Sequence, residues 1–439
     1  MSALPPPGLA WGLPFAGMLL SIALVPMLAP RFWHRRMGGI AAAWTLAVLL
    51  PLLALDGPGA AWHLFWHAVL AEYLPFVALL AALYAAGGGI VVKGGPWGTP
   101  AGNTALLALG LLLAGEMGTT GAALVLIHPL LRANAARRHK THLVVFFIVL
   151  VANAGGITSP LGDPPLYVGF LHGVPFFWPL RHLVVPLLVL AVPLLAAFWL
   201  LDRWLMRGEA PARRSRLRLR GRRNVALVAA VAAIVLGQAA APAWPVTLLG
   251  ETIEAGRLAG LCGLVAIVAL SQAITPRGLR RANMFSWEPM REVAIVFAAI
   301  FVTAGPVLAM LAAGPTGPLA PLLALASDAT GAPVPVAYFW LAGLLSAFLD
   351  NAPTYLVFFG MAGGDASLLA GGGSRVLEAI AAGTVFFGAL TYIGNAPNMM
   401  VRAVAARRGV RMPGFFAYLA LAAALLILPF GALTLWLAR

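Results

Sequence analysis

The sequence predicts an all-α polytopic membrane protein, an inverted repeat of two five-helix halves, each with a re-entrant hairpin and a broken helix. Three observations support this fold class. Hydrophobic residues make up 61% of the 439 residues and charged residues only 10%, against about 25% charged residues in a soluble domain. The apolar residues form runs long enough to cross a bilayer, and polar interruptions recur in the same order in both halves. So low a charge content excludes soluble enzymes and disordered chains.

A helix that crosses the hydrocarbon core needs about 20 mostly apolar residues. Ten stretches satisfy this requirement: 9–29, 38–55, 64–86, 143–171, 182–201, 224–241, 258–275, 292–312, 376–400 and 414–437. Two more, 101–131 and 334–362, are too long for one helix, and polar, Gly or Pro residues interrupt each near its middle. We expect each to form a re-entrant hairpin of two half-length helices, because non-helical backbone at that depth is tolerated only inside protein or beside a water-filled cavity.

The net charge of +15 is explained by membrane topology, and no nucleic-acid partner is expected. With the N-terminus outside, 25 of the 29 Lys and Arg residues fall in inner loops, where these residues concentrate in membrane proteins. One such loop, before span 38–55, holds Arg31, Arg35 and Arg36. The bias requires both hairpins to return to the side from which they enter. We therefore predict an integral protein of the bacterial inner membrane with both termini periplasmic.

Nine arginines lie in the segment 203–223, which divides the chain into three parts. Residues 1–202 are the predicted N-terminal repeat (hairpin 101–131, broken helix 143–171). Residues 203–223 are a basic cytoplasmic linker, and residues 224–439 are the C-terminal repeat (hairpin 334–362, broken helix 376–400). The simplest role of the linker is to set the topology, and binding of lipid or regulation is the alternative.

The two broken helices carry related sequences, SPLGDPP at 159–165 and TYIGNAP at 391–397, at a constant offset of 232 residues. The first repeat starts outside and the second starts inside, so their topologies are inverted. Inverted repeats with paired broken helices are typical of secondary transporters, whose sites lie near the membrane midplane where the half-helices end. No catalytic nucleophile or zinc-protease motif is present, so we expect a transporter rather than an enzyme.

Two carboxylates lie at the helix breaks and hairpin tips near the membrane midplane, where a charge is energetically most costly. Asp163 precedes Pro164 in the first broken helix, and Asp350 lies at the tip of the second hairpin. Each could merely cap a half-helix. We interpret both instead as ligands of Na⁺ or carriers of a proton, because a neutral residue would cap almost as well. Neutral polar residues complete the candidate site: Thr119, Thr120, Asn153, Ser159, Asn351, Thr391, Asn395 and Asn398.

Glu116 and His128, on either side of the first hairpin tip, are candidate proton carriers, with a structural role as the alternative for each. A site that holds either a proton or Na⁺, but not both, is the minimal device for cation/proton exchange. The half-helix N-termini could instead hold a small carboxylate such as citrate, with Na⁺ as co-ligand. Neither reaction requires a cofactor beyond the coupling ion, Na⁺ or H⁺.

Five segments resemble the ion transporter superfamily: TTGAA at 119–123, ANAGG at 152–156, PLGDPP at 160–165, DNAPT at 350–354 and TYIGNAPN at 391–398. They are most similar to its citrate transporter and sodium:proton antiporter branch, which is related to NhaD-type antiporters, arsenite permeases and divalent-anion/Na⁺ symporters. The resemblance implies a homodimer in which both hairpins and both broken helices form a moving transport subdomain, working by an elevator-like mechanism. The symporters carry Ser-Asn-Thr at their hairpin tips, which this chain does not.

Overall fold

The computed structural model describes residues 8–209, 215–242 and 244–439. Proline at the first helical turn begins many of its helices, where the missing N–H costs nothing. Up to residue 209 the described chain forms ten α helices: α1 (Leu13–Leu28), α2 (Pro30–Leu55), α3 (Pro58–His67), α4 (Leu74–Gly87), α5 (Pro100–Met117), α6 (Thr119–Ala133), α7 (Thr141–Leu150), α8 (Pro164–Leu171), α9 (Trp178–His182) and α10 (Val184–Leu205). A π-helical segment, Ala68–Tyr73, joins α3 to α4.

The described residues after 215 form eleven more α helices: α11 (Arg222–Ala240), α12 (Ala255–Ile274), α13 (Arg277–Ala282), α14 (Glu288–Ala312), α15 (Ala320–Ala324), α16 (Pro335–Ser346), α17 (Asn351–Met361), α18 (Ala366–Ala370), α19 (Ser374–Phe387), α20 (Ala396–Arg407) and α21 (Phe415–Leu437). Short 3₁₀ segments lie at Leu9–Gly12, Ala154–Thr158, Gly314–Thr316 and Gly388–Leu390. The second and fourth of these mark the predicted breaks.

Nine helical segments of the described chain are long and apolar enough to cross a membrane, which confirms a polytopic membrane protein. The remaining predicted span, 376–400, is divided into α19 and α20 by the 3₁₀ segment and the extended residues that follow it. The stretch 143–171 is likewise divided into α7, the segment Ala154–Thr158 and α8. Both predicted hairpins are pairs of helices, α5 with α6 and α16 with α17.

The helices form an inner and an outer group. Every residue of α7 from Leu143 to Leu150 is buried, whereas α2 and α21 expose many large apolar side chains, including Leu55 and Leu428. Exposed leucines on a long helix suit contact with lipid chains rather than with water. The two repeats interlock in the inner group, since α8 packs against α17 of the second hairpin and α20 packs against α6 of the first.

The structure differs from the prediction outside the spans. The described chain contains two short antiparallel sheets: β1 (Val91–Gly95) pairs with β2 (Ser215–Arg220), and β3 (Pro245–Leu248) pairs with β4 (Glu251–Glu254). The predicted linker 203–223 therefore includes a strand as well as the ends of α10 and α11. The prediction that Arg31, Arg35 and Arg36 lie in a loop is wrong, because α2 already begins at Pro30 and these side chains extend from its first turns.

Candidate functional site

Asp163 is the point at which both hairpins and both broken helices meet. It occupies the N-cap position of α8, but its side chain makes no capping hydrogen bond. Its carboxylate instead accepts hydrogen bonds from Thr119 Oγ1 at 3.2 Å, Asn351 Nδ2 at 2.5 Å and Asn395 Nδ2 at 3.3 Å. Thr119 and Asn351 come from the two hairpin tips and Asn395 from the second break. The buried carboxylate thus accepts hydrogen bonds from three distant segments and holds them together. Its role is therefore more than capping α8.

The first break is held open by close backbone contacts. A Cβ atom on Gly162 would lie 2.1 Å from the carbonyl oxygen of Gly156, so that only glycine fits there. Ser159 Oγ donates to the carbonyl oxygen of Gly115 on α5 and accepts from the backbone N–H of Leu161. These contacts replace the helical hydrogen bonds that the break removes, and they attach the broken helix to the first hairpin.

The second break uses the same pattern. Thr391 Oγ1 donates to the carbonyl oxygen of Ala347 on the second hairpin and accepts from the N–H groups of Ile393 and Gly394, at 3.2 and 3.0 Å. A Cβ on Gly394 would lie 2.7 Å from the carbonyl oxygen of Gly388. In both breaks the hydroxyl bonds to a residue 44 positions earlier. The predicted similarity between the repeats thus extends to individual hydrogen bonds.

A cluster of buried amides joins the two breaks behind Asp163. Asn153 Nδ2 donates to Asn398 Oδ1 at 2.8 Å, and Asn395 Nδ2 contacts Asn153 Oδ1 at 3.2 Å. Asn398 Nδ2 in turn donates to two backbone carbonyls of its own break, at 2.8 and 2.9 Å. The amides satisfy backbone groups that the unwound helices leave free, and they fix one half of the protein against the other.

The carboxylates face a cavity of about 70 Å³. Since one buried water needs roughly 10–15 Å³ of such volume, the cavity has room for about five waters. Among the described residues that line it, none is Lys, Arg or His. Its polar groups come from the breaks and hairpin tips, while α4, α14 and α20 supply an apolar wall. The polar lining residues include Thr119, Thr120, Asp163, Asp350 and Asn395.

Asp350 lies at the N-cap of α17, where its side chain accepts a hydrogen bond from the N–H of Ala352 at 3.4 Å. It therefore caps the half-helix and also faces the cavity. Beside it, Asn351 is fully buried, and its Oδ1 atom has no hydrogen-bond partner among the described residues. Buried polar atoms are almost always paired. An unpaired oxygen next to the Asp163 carboxylate is suited to a cation or a water that coordinates one.

The other predicted site residues lie elsewhere. Ser159, Thr391, Asn153 and Asn398 are buried around the breaks, and their polar groups bind the protein's own backbone and amides as described above. Glu116 is exposed on α5 outside the cavity. His128 is buried on α6 and also lies outside the cavity, with Nε2 3.2 Å from the carbonyl oxygen of Asn283.

Two features were not predicted from the sequence. Tyr167 lines the cavity one helical turn after Asp163, and its buried hydroxyl has no hydrogen-bond partner among the described residues. The spacing of four residues on a helix was the available signal. The second feature is a buried network around Asp202 on α10, whose carboxylate accepts from Asn103 and contacts Arg137 and His142.

The fold and the site together define a class: a membrane protein with two interlocked broken helices around a small acidic cavity, which is the architecture of a secondary transporter. A family model described as "Putative citrate transport" matches residues 6–438 of the chain. The protein therefore belongs to this family, and it is a secondary transporter of the citrate and ion transporter type. The resemblance seen in the motifs is confirmed by this match. No curated protein matches the sequence.

Proposed function

We propose that the protein exchanges Na⁺ or Li⁺ for H⁺ across the membrane. The observation that carries this proposal is that Asp163 and Asp350 face one cavity whose described lining contains no basic residue. Carboxylates buried without a positive partner are strongly unfavourable. A bound cation or a proton supplies the missing compensation, and oxygen ligands suit a hard cation.

Competition for the Asp163 carboxylate provides the exchange. With Na⁺ bound, the carboxylate is ionised, and the unpaired Oδ1 of Asn351 and the hydroxyl of Thr120 are available as further oxygen ligands. With a proton bound, the Asp163 carboxyl is neutral and the cation leaves. Since the same groups serve both ions in turn, alternating exposure of the cavity to the two sides couples their movements. No cofactor beyond the coupling ions is required.

The unit that moves, in this proposal, contains both hairpins and both broken helices. Hydrogen bonds from Asn351 and Asn395 to Asp163, and from Asn153 to Asn398, cross between the halves and make the unit rigid. An elevator-like motion of this unit against the outer helices, in a homodimer, would deliver alternating access. We further propose the bacterial inner membrane with both termini periplasmic, as the distribution of arginines indicates.

The second candidate is cation-coupled transport of citrate or another small carboxylate, which the description of the family favours. The start of α6, at the tip of the first hairpin, has no side-chain cap and offers backbone N–H groups for an anion. The start of α8 does not, because its first two residues are prolines. Because the side chains of the cavity add only negative charge, such a substrate would have to enter together with a cation. The two candidates thus share the cation site and differ in what accompanies the cation.

Everted vesicles with a pH-sensitive dye separate the candidates. We expect Na⁺ to collapse a preformed pH gradient with the wild-type protein, and Asp163→Asn and Asp350→Asn to lose this response. Asp56→Asn is the matched control, since Asp56 is an exposed acid at the end of α2. The antiporter proposal fails if Na⁺ leaves the gradient intact or if both site variants respond like the wild type. Labelled citrate uptake under imposed Na⁺, H⁺ or Mg²⁺ gradients, without Na⁺-driven collapse, would establish the second candidate instead.

A further inference from the structure

We propose that the two-stranded sheet of β1 and β2, with the start of α11, binds the phosphate group of an anionic lipid. We refer to these strands as the basic sheet. The proposal concerns a surface separate from the acidic cavity and is independent of which substrate is transported.

One face of the basic sheet is cationic and the other is apolar. Successive residues of a strand point to opposite faces, so Arg216, Arg218 and Arg220 share one face of β2 while Leu217 and Leu219 share the other. The register places Lys93 of β1 opposite Arg218, which adds a fourth cation to the basic face. Leu217 and Leu219 are 59% and 45% exposed. The sheet is therefore amphipathic.

The like charges on the cationic face repel one another, and the contacts of the described chain do not offset this repulsion. Like charges directly opposite each other destabilise a strand pair, and an isolated two-stranded sheet is only marginally stable. Within the described chain, the ion pairs of arginine involve Arg137, Arg257 and Arg375, and none involves Lys93 or the arginines of β2. An anion bound between Lys93 and Arg218 would offset their repulsion.

A cavity of about 550 Å³ lies where the basic sheet meets α11 and α13. Lys93, Arg220 and Arg222 provide its charges, and no acidic residue is among the described residues that line it. Val91 and Leu279 contribute apolar wall. This combination suits a phosphodiester next to the glycerol and first methylene groups of a lipid.

The position of the sheet favours a lipid over free phosphate. β2 ends at Arg220, and α11, a candidate membrane span, begins at Arg222. The sheet thus lies at the end of a spanning helix, where exposed Leu217 and Leu219 could contact acyl chains while the arginines contact headgroups. The requirement for positive charge in a topology-setting loop explains why arginines occur here. It does not require that they alternate with leucines on one strand.

Native mass spectrometry and thermal melts of the delipidated protein in detergent test the proposal. We expect phosphatidylglycerol or cardiolipin to bind and raise the melting temperature, and phosphatidylcholine with the same acyl chains to do neither. Arg218→Gln with Arg220→Gln should weaken binding of the anionic lipid by roughly twenty-five-fold, at about fivefold per basic group. The control is Arg35→Gln with Arg36→Gln, two exposed arginines of α2, which should bind as the wild type does.

The melting temperature without lipid distinguishes binding from folding. Because Arg218→Gln removes a like-charge pair, the lipid-free double variant should melt at or above the temperature of the wild type. If that variant does not fold, Lys93→Gln and the salt dependence of lipid binding by the wild type provide the same test. Equal binding of phosphatidylcholine and phosphatidylglycerol, undiminished binding by the folded variant, or stabilisation by inorganic phosphate alone would each overturn the proposal.

Discussion

The buried network around Asp202 should be a main determinant of stability. Asp202 is fully buried on α10. Its carboxylate lies 2.6 Å from Arg137 Nη2, 2.7 Å from His142 Nε2 and 3.0 Å from Asn103 Nδ2. These partners come from α7, from the first helix of the N-terminal hairpin and from the turn after that hairpin. One carboxylate therefore connects four segments. We expect its loss to lower the free energy of unfolding by more than the value of a single contact.

Asp202→Asn keeps the shape of the side chain and removes its charge. The Arg137 side chain is only 5% exposed, so its guanidinium would remain buried beside a neutral amide. Removing one partner of a buried ion pair costs about 3–5 kcal/mol, because the other charge is left uncompensated. Glu209 remains near Arg137 but at 3.6 Å and partly exposed. We therefore expect the free energy of unfolding to fall by about 3–5 kcal/mol.

Denaturant unfolding in detergent, followed by tryptophan fluorescence, measures this change. Glu209→Gln is the matched control: it removes the other acid beside Arg137, whose partly exposed pair should be worth about 0–1 kcal/mol. The reasoning is refuted if Asp202→Asn unfolds within about 1 kcal/mol of the wild type, or if Glu209→Gln costs as much. Neither variant touches the acidic cavity, so the Na⁺ response proposed for the folded protein should be unchanged in both.

Two further variants examine the breaks. Gly162→Ala places a Cβ 2.1 Å from the carbonyl oxygen of Gly156, and we expect little folded protein by size-exclusion chromatography. Gly237→Ala in α11, where a Cβ meets nothing within 4 Å, should give the wild-type yield, and equal yields of both variants would contradict the steric argument. Asn398→Leu removes one of the two acceptors of the Asn153 amide, which keeps the carbonyl oxygen of Ile148. It leaves two backbone carbonyls of the second break without their donor, at about 1–3 kcal/mol each. The melting temperature should fall clearly, and an unchanged value would show that the amide cluster does not hold the breaks together.

Much of the fold follows from the sequence for a simple reason. In a bilayer, backbone polar groups must be satisfied within the segment, so length and hydropathy alone largely decide where a span lies. The predicted spans correspond to helices of the structure, and the hairpins turn at the predicted tips. At Gly118 the turn requires a φ of +79°, which glycine adopts without strain. The local chemistry of Gly, Pro and Asx residues likewise marked both breaks.

The strands and the start of α2 were missed because the same reasoning does not apply outside the hydrocarbon core. At the membrane boundary water can satisfy the backbone, so a basic segment can be a loop, a helix or a strand. Pairing between β1 and β2 joins segments more than a hundred residues apart in the chain, and no local sequence pattern indicates such a contact. For that reason the sequence predicts only a basic linker at 203–223, and the strand within it is seen only in the structure.

The sequence by itself determined the class of the protein, the places where its helices break and the two costly carboxylates, because these depend on composition and on neighbouring residues. Only the tertiary structure decided which polar groups meet. Ser159 and Thr391 carry hydroxyls as Thr119 and Thr120 do, yet the first two bind backbone carbonyls and the last two face the cavity. The contacts of Asp163 come from segments up to 232 residues away. They exist because the two repeats interlock, and that packing is a property of the whole chain.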